Sequence, residues 1–564
     1  MRKLFTFIRT YYALIIVFAV FAWSAVMIAV YRNRTTPPGA TIIRIGHWQL
    51  EASVRDAINE MAREYRELHP NVYVVQDAIP ESVYGQWVST QLMGGTAPDL
   101  VQVGSMLPAN IWLSYYNRYF VPLTREVNRP NPYNRGTDME TTPLRQTYKD
   151  GMRTTYVQEM QEYMSVSLSQ FGVRIFYNKD LLKKLAGLDE APRDYRSFLA
   201  ACKKISEQKN PRGGNYIPIA GSAYHMSMWE GMLFDPMTYG LVRKADFNRD
   251  ADVGNNELYV AFKIGAVDFY NPSITTKFRM IREVTDYFQT GYTGLTRDEA
   301  VFLFAQQKAV FMSTGTWDAR SLQELAKGQF EVGVMEPPLP TKDDPEFGAV
   351  VEGPNYEQAG TGFQFGLTRT SQHQDIALDF MLFMASQPHN QKLNEIIGWI
   401  PAIRGTEMDP LLKAFEPHIE GVYGAFSIWL GGNTATKWMQ VYSAYQVNQM
   451  SYDEMVKEFQ PFYIEQGMED FLEQQRDWRR GMHNNERFLA GIRAKAFLAE
   501  GEESNSAWVR YRALTKDRQV WAELDHNRQM QLIEKGPQKA VGPYEYSPAV
   551  MEKIKKKVKE KMKS

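Results

Sequence analysis

The side chains that could do chemistry in this chain are sparse, and their spacing excludes more than it supports. The eight histidines are scattered, with no pair at HExxH or similar metal-ligand spacing. No GxSxG nucleophile turn, no Walker-type phosphate loop and no GxGxxG dinucleotide turn occurs. Gly94-Gly95 with Pro98-Asp99 reads as a turn and not as a phosphate cradle. Acidic pairs such as Glu502-Glu503 and Asp343-Asp344 sit in polar stretches and read as solvated. Cys202 is the only cysteine, so neither an internal disulfide nor a cysteine zinc cluster can form. No catalytic, cofactor or metal residue is therefore assigned. Flat surface is plentiful instead: aromatics make up 13% of the chain and include 12 Trp. Large cores would use them, and so would a platform for sugar rings, whose axial C–H faces lie well on aromatic faces. Lys and Arg total 64 against 65 Asp and Glu, which gives no electrostatic footprint for nucleic acid.

The elements that must carry these residues alternate between strand and helix. Ile42, Ile43 and Ile45 begin a strand that Gly46-His47-Trp48 ends. A helix follows with Val54, Ile58, Met61, Tyr65 and Leu68 on one face, and 72–75 is a second strand. This βαβ order predicts a parallel sheet. A helix end, a glycine turn and Pro98-Asp99 then lead into a strand at 100–103. Val173, Ile175 and Phe176 mark a further strand. Asn178 and Asp180 can cap the helix after it, and Gly187 can end that helix. Beyond Pro192, Asp194 can cap a second helix that buries Phe198, Leu199, Cys202 and Ile205. Residues 105–160, rich in Trp, Tyr, Asn and Pro, read as an insertion, a cleft rim or a satellite core. A strand at 310–312 delivers Trp317, flanked by Gly315, to a helix start whose N–H groups can donate to hydroxyls. Packing at the helix start is the other use of that ring. Ser371 can cap a helix carrying Ile376, Ala377, Phe380, Met381 and Met384.

The wording of four stretches resembles the extracellular solute-binding proteins of ABC importers, the sugar-binding family that includes maltose-binding protein. These are 171–205 with its YNKDLL, 299–322 with Lys-Ala and Gly315-x-Trp317, 360–405 ending in Ile400-Pro401-Ala402, and more weakly 438–471. The resemblance covers roughly 41–475. It implies an α/β, two-lobed periplasmic-binding-protein (Venus-flytrap) fold, with hinge closure on a ligand. On that basis the N-terminal lobe is expected at about 41–160 plus 300–345, and the C-terminal lobe at about 161–299 plus 346–475. Residues 476–564 would form a helical C-terminal extension with a basic tail, solvated or touching anionic lipid. The resemblance implies a carbohydrate ligand held between the lobes and delivery to ABC permease subunits. Asp99, Trp317 and Gly362 match its motifs as ligand-binding positions. Trp48 is added because it follows the first strand, and Trp229 because it lies after the strand at 215–220. Trp399 and Trp429 are aromatics near the Ile-Pro-Ala turn and in a Gly-rich loop.

The first 35 residues set the expected compartment. Arg2, Lys3 and Arg9 precede an apolar run from 11 to 31, which as a helix is about 30 Å long. It predicts a single-pass N-terminal transmembrane helix in the inner membrane, with the body in the periplasm. A cleaved signal peptide, ending near Ala22-Trp-Ser24, is the alternative. Two further functions stay open from sequence alone: a membrane-anchored sensing or assembly protein, and a glycoside hydrolase with two carboxylates among the 65 acids.

Overall fold

The structure is a computed structural model. It describes residues 39–536 except 105–111, 158–159, 355, 358–359, 419 and 485, together with 17, 20–24, 26, 27, 37, 552, 553 and 556. The expected span at 11–31 falls largely outside the described residues, and among those described no helix is long and apolar enough to cross a membrane. The chain forms two compact units. Met1–Val157, Glu162–Gln170 and Thr361–Met408 make the first; Gln158–Gln161, Phe171–Gly360 and Asp409–Ser564 make the second.

The first unit is built on a six-stranded sheet. Its order is Ile400–Pro401, Val166–Phe171, Gly360–Leu367, Leu100–Val103, Thr41–His47, Val72–Ala78. Thr41–His47 runs parallel to both Val72–Ala78 and Leu100–Val103, as the βαβ order predicts. Helix Ala52–Leu68 buries Val54, Ala57, Ile58, Met61 and Tyr65. The predicted stripe is one residue shorter, because Leu68 in the last turn is exposed. Helix Glu81–Gly94 ends on Gly95, whose φ of 71° lets the chain turn back toward Pro98-Asp99. The aromatic stretch after it contributes Tyr115, Tyr116, Phe120 and Tyr148 to buried positions, which makes it a core under loops.

The second unit holds a four-stranded sheet in the order Val332–Met335, Val173–Asn178, Ala309–Gly315, Ile217–Ile219. The local signals around it act as read. Asn178 accepts the N–H of Leu181 at 2.9 Å, and Asp194 with Ser197 makes a capping box. Tyr195, Phe198, Ala201, Cys202 and Ile205 are the buried face of that second helix, and burial raises the Cys202 thiol pKa.

Two expected boundaries are corrected. The strand Ala309–Gly315 pairs with Val173–Asn178 in the second unit, so 300–345 does not belong with 41–160. Gly360–Leu367 pairs with Leu100–Val103, so 361–408 belongs to the first unit. A short apolar run announces a strand but not its partner, and partner choice is a long-range matter. The C-terminal helices fall in the second unit, where Leu489, Ile492, Ala496, Ala507 and Leu514 form a small core of their own. Helix Tyr452–Asn484 opens on a Ser451–Glu454 capping box. Its Phe471, and Leu532 from helix Trp521–Lys535, lie in the same core as Ile175 and Phe311.

Candidate functional site

In the first unit the chain lays Thr41–His47, crosses to Val72–Ala78 on one side, then to Leu100–Val103 on the other. The strand order reverses there, and the crevice outside the carboxyl ends of such a pair is where open parallel sheets bind ligands. Trp48 stands at that edge, half-buried. Its backbone N–H donates to Gln102 Oε1 at 3.2 Å, and its ring meets Tyr84 edge-on at 5.1 Å. The Tyr84 hydroxyl donates to the carbonyls of Gln102 (2.8 Å) and Gly46 (3.2 Å), which ties the two strand ends together. Gln102 Nε2 is buried without a hydrogen-bond partner, and burial lowers the His47 pKa. Register brings Gly362 to the same edge, since Gln364 pairs with Val103 in the antiparallel neighbour.

Asp99 is at the other end. It is level with Arg44, whose N–H it accepts at 2.8 Å; its second oxygen takes the Ser371 hydroxyl at 2.5 Å. Four residues of strand separate Arg44 from Trp48, roughly 13 Å at about 3.3 Å each. Asp99 therefore fastens the amino end of Leu100–Val103 to the middle of Thr41–His47 and does not share an edge with Trp48. Ser371 is drawn into this knot and does not cap the helix, which starts after His373. Trp399 is also a packing residue: it is buried and lies edge-on against Phe363 at 5.4 Å, behind Gly362.

The second unit repeats the logic with different residues. Ile217–Ile219 and Ala309–Gly315 are parallel, so their carboxyl ends share one edge, and Val173 of the antiparallel neighbour pairs with Gly315 there. Trp317 stands at this edge, half-buried, 5.9 Å from Phe171. Its ring lies across Gly315, where an added Cβ would sit 2.3 Å from a ring carbon, so the Gly-x-Trp spacing is a steric requirement. Asp318 accepts the Thr314 hydroxyl at 2.5 Å and pairs with Arg297, whose guanidinium is 5.6 Å from the Tyr224 ring centroid. His225 Nδ1 is 2.9 Å from the Ser222 hydroxyl. Both belong to one buried helix cap. Burial, aided by Arg297, brings the His225 pKa down to about 4. His225 Nε2, Thr316 Oγ1 and Trp317 Nε1 are all buried without a partner. The edge thus combines an aromatic face with polar atoms of unmet hydrogen-bonding capacity, which suits a hydroxylated ligand.

Trp229 is corrected as a ligand residue. It is fully buried between Phe198 (5.7 Å) and Phe234 (5.2 Å), with no face left for a ligand. Trp429 is 49% exposed, and its carbonyl accepts from Asn255 at 2.7 Å, which sets it beside the 246–257 loop. Sequence reasoning passed over Gln102 and Thr316. The usable signal was position: Gln102 is the polar residue within the apolar strand Leu100–Val103, and Thr316 immediately precedes Trp317.

The description of bacterial extracellular solute-binding proteins matches residues 60–416, and the chain belongs to that family. Among solved structures it is similar to a chitin oligosaccharide binding protein, with 15% identity, a TM-score of 0.52, and 74% of this chain and 97% of that one covered. It is also similar to apo RafE from Streptococcus pneumoniae, with 15% identity, a TM-score of 0.53 and coverage of 76% and 98%. A sugar transporter from Bacillus licheniformis in complex with stachyose matches at 16% identity, a TM-score of 0.50 and coverage of 75% and 100%. At these identities the likeness is one of fold, the two-lobed α/β solute-binding fold. No curated protein matches the chain. The family is one of extracellular receptors, so the body of this chain works outside the cytoplasm.

Proposed function

We propose that this receptor captures a carbohydrate, an oligosaccharide in preference to a single sugar, and presents it to an ABC permease. The observation that carries the reading is the pairing, at the carboxyl edge in each unit, of a half-buried Trp with buried polar atoms that have no partner. Trp48 with Gln102 and Gly362, and Trp317 with His225 and Thr316, are the ligand-binding groups in this reading. The Trp faces cover the apolar faces of sugar rings while amide, imidazole and hydroxyl groups take their hydroxyls. Oligosaccharides are also what the chitin oligosaccharide binding protein and the stachyose complex hold by their own descriptions. The apolar run at 11–31 tethers the receptor to the inner membrane as an uncleaved anchor.

The test is ligand-induced thermal stabilisation of the chain from residue 36, against a panel of mono- and oligosaccharides. A ligand at about 100 times its dissociation constant adds roughly 2.7 kcal/mol. An oligosaccharide shift that disappears in Trp48→Ala or Trp317→Ala is the expected result. A flat response across the panel would reject a carbohydrate ligand. The anchor is tested separately, by whether the full chain stays in the membrane pellet after alkaline carbonate extraction.

A further inference from the structure

In the second unit, between helices Val242–Ala245 and Asn255–Lys263, residues 246–257 read Asp-Phe-Asn-Arg-Asp-Ala-Asp-Val-Gly-Asn-Asn-Glu. Oxygen-bearing side chains fall at positions 1, 3, 5, 7 and 12 of this stretch. That is the spacing of the twelve-residue EF-hand calcium loop, where positions 1, 3, 5 and 12 ligate through side chains and 7 through its carbonyl. Position 6, glycine in that pattern because the chain turns sharply, is Ala251 here, with φ at 69°. Folding makes the spacing converge: one carboxylate oxygen each from Asp246, Asp250 and Glu257 lies within 4.8 Å of the others.

A separate observation concerns charge. Glu257 is only 4% exposed and points into this group. It accepts backbone N–H groups of Phe247 and Asn248 at 3.0 Å and of Gly254 at 3.2 Å. Among the described residues no Lys, Arg or His forms an ion pair with it, with Asp246 or with Asp250. Helix Trp521–Lys535, which carries Asp525, packs against Asn255–Lys263. The three backbone N–H groups satisfy Glu257 without neutralising it, and a cation joining the converging carboxylates supplies the missing charge. Hard oxygen ligands select calcium or magnesium, and a twelve-residue loop closing on Glu favours the larger ion, which takes more ligands in a flexible geometry.

We propose that residues 246–257 form a calcium site, with Asp246, Asn248, Asp250 and Glu257 ligating through their side chains and Asp252 through its carbonyl. The ion stabilises the loop and the helix pair behind it. The site stands apart from the carboxyl-edge groups at Trp317 and does not depend on the carbohydrate reading.

The test uses the full chain, stripped with a chelator and titrated with calcium chloride or magnesium chloride. Calcium is expected to raise the thermal midpoint by several degrees, with a dissociation constant on the order of 0.1–1 mM, the range of extracellular modules. Magnesium should do much less. Glu257→Gln should abolish the shift, but Glu257 also caps a helix. Asp250 is exposed, so Asp250→Asn is the cleaner variant; it should weaken calcium binding at least tenfold. No calorimetric heat and no midpoint shift at about 10 mM calcium, well above that range, would overturn the proposal. So would undiminished affinity in both Asp250→Asn and Asp246→Asn. An equal response to magnesium would overturn the choice of ion.

Discussion

Trp229 and Trp317 lie in the same unit and answer to the same residue type, yet they sit in opposite surroundings. Trp229 is enclosed by Phe198 and Phe234, with its own Nε1 buried without a partner. Trp317 lies at the carboxyl end of a strand, across a glycine, with buried polar atoms of no partner around it. The first unit repeats the contrast with polar residues. The Asp99 carboxylate is committed to Arg44 and Ser371 at the amino end of its strand, while Gln102 near the carboxyl end keeps its Nε2 without a partner. Enclosure marks the packing residue, and partial exposure at a strand's carboxyl edge marks where a ligand can gain free energy.

Substitutions sort by which side of this contrast they strike. Trp229→Ala should have the largest effect, a loss of about 3–5 kcal/mol of stability by denaturant unfolding. If that variant kept its stability but lost ligand binding, the contrast would break. His225 gives the next effect through pH. Its ordinary value of 6.5 is lowered to about 4 by burial and by Arg297, with Tyr224 and Asp318 on the same edge. As pH falls, the unfolded chain takes up the proton first. The contribution is therefore complete above pH 6.5 and lost toward pH 4, and it amounts to about 3 kcal/mol. His225→Gln should flatten the stability profile in that window, and an unchanged slope would count against a buried neutral imidazole. Asp99→Ala should cost about 2–3 kcal/mol, the worth of hydrogen bonds to a charged group plus the donors left behind. Its surviving folded fraction should bind ligand as the parent does. Trp317→Ala sharpens the contrast most at the smallest structural cost. A stability change near 1 kcal/mol should accompany a ligand affinity at least 30-fold weaker, about 2 kcal/mol.

The calcium loop shows a limit of motif reading. Its oxygen spacing was present in the sequence, but a search for His and Cys ligands and for acidic pairs does not see it. Asp525, distant in the chain, becomes its neighbour only when the helices pack.

The sequence alone determined what is decided within a few residues. The cap of Asn178 on Leu181, the Asp194–Ser197 box, the Ser451–Glu454 box and the buried face of helix Ala52–Leu68 are all local. So is the Gly315-x-Trp317 spacing, which the ring's position over the glycine requires. Tertiary structure decided the rest. It assigned Ala309–Gly315 and Gly360–Leu367 to sheets opposite to those expected, because a strand's pattern fixes its faces and not its neighbours. It put Asp99 at the amino end of Leu100–Val103 and Trp48 at the carboxyl end of Thr41–His47, and it closed the core over Trp229. Periodicity and capping are short-range. Burial and partnership depend on segments hundreds of residues apart, and they settle whether an aromatic or a carboxylate is structure or site.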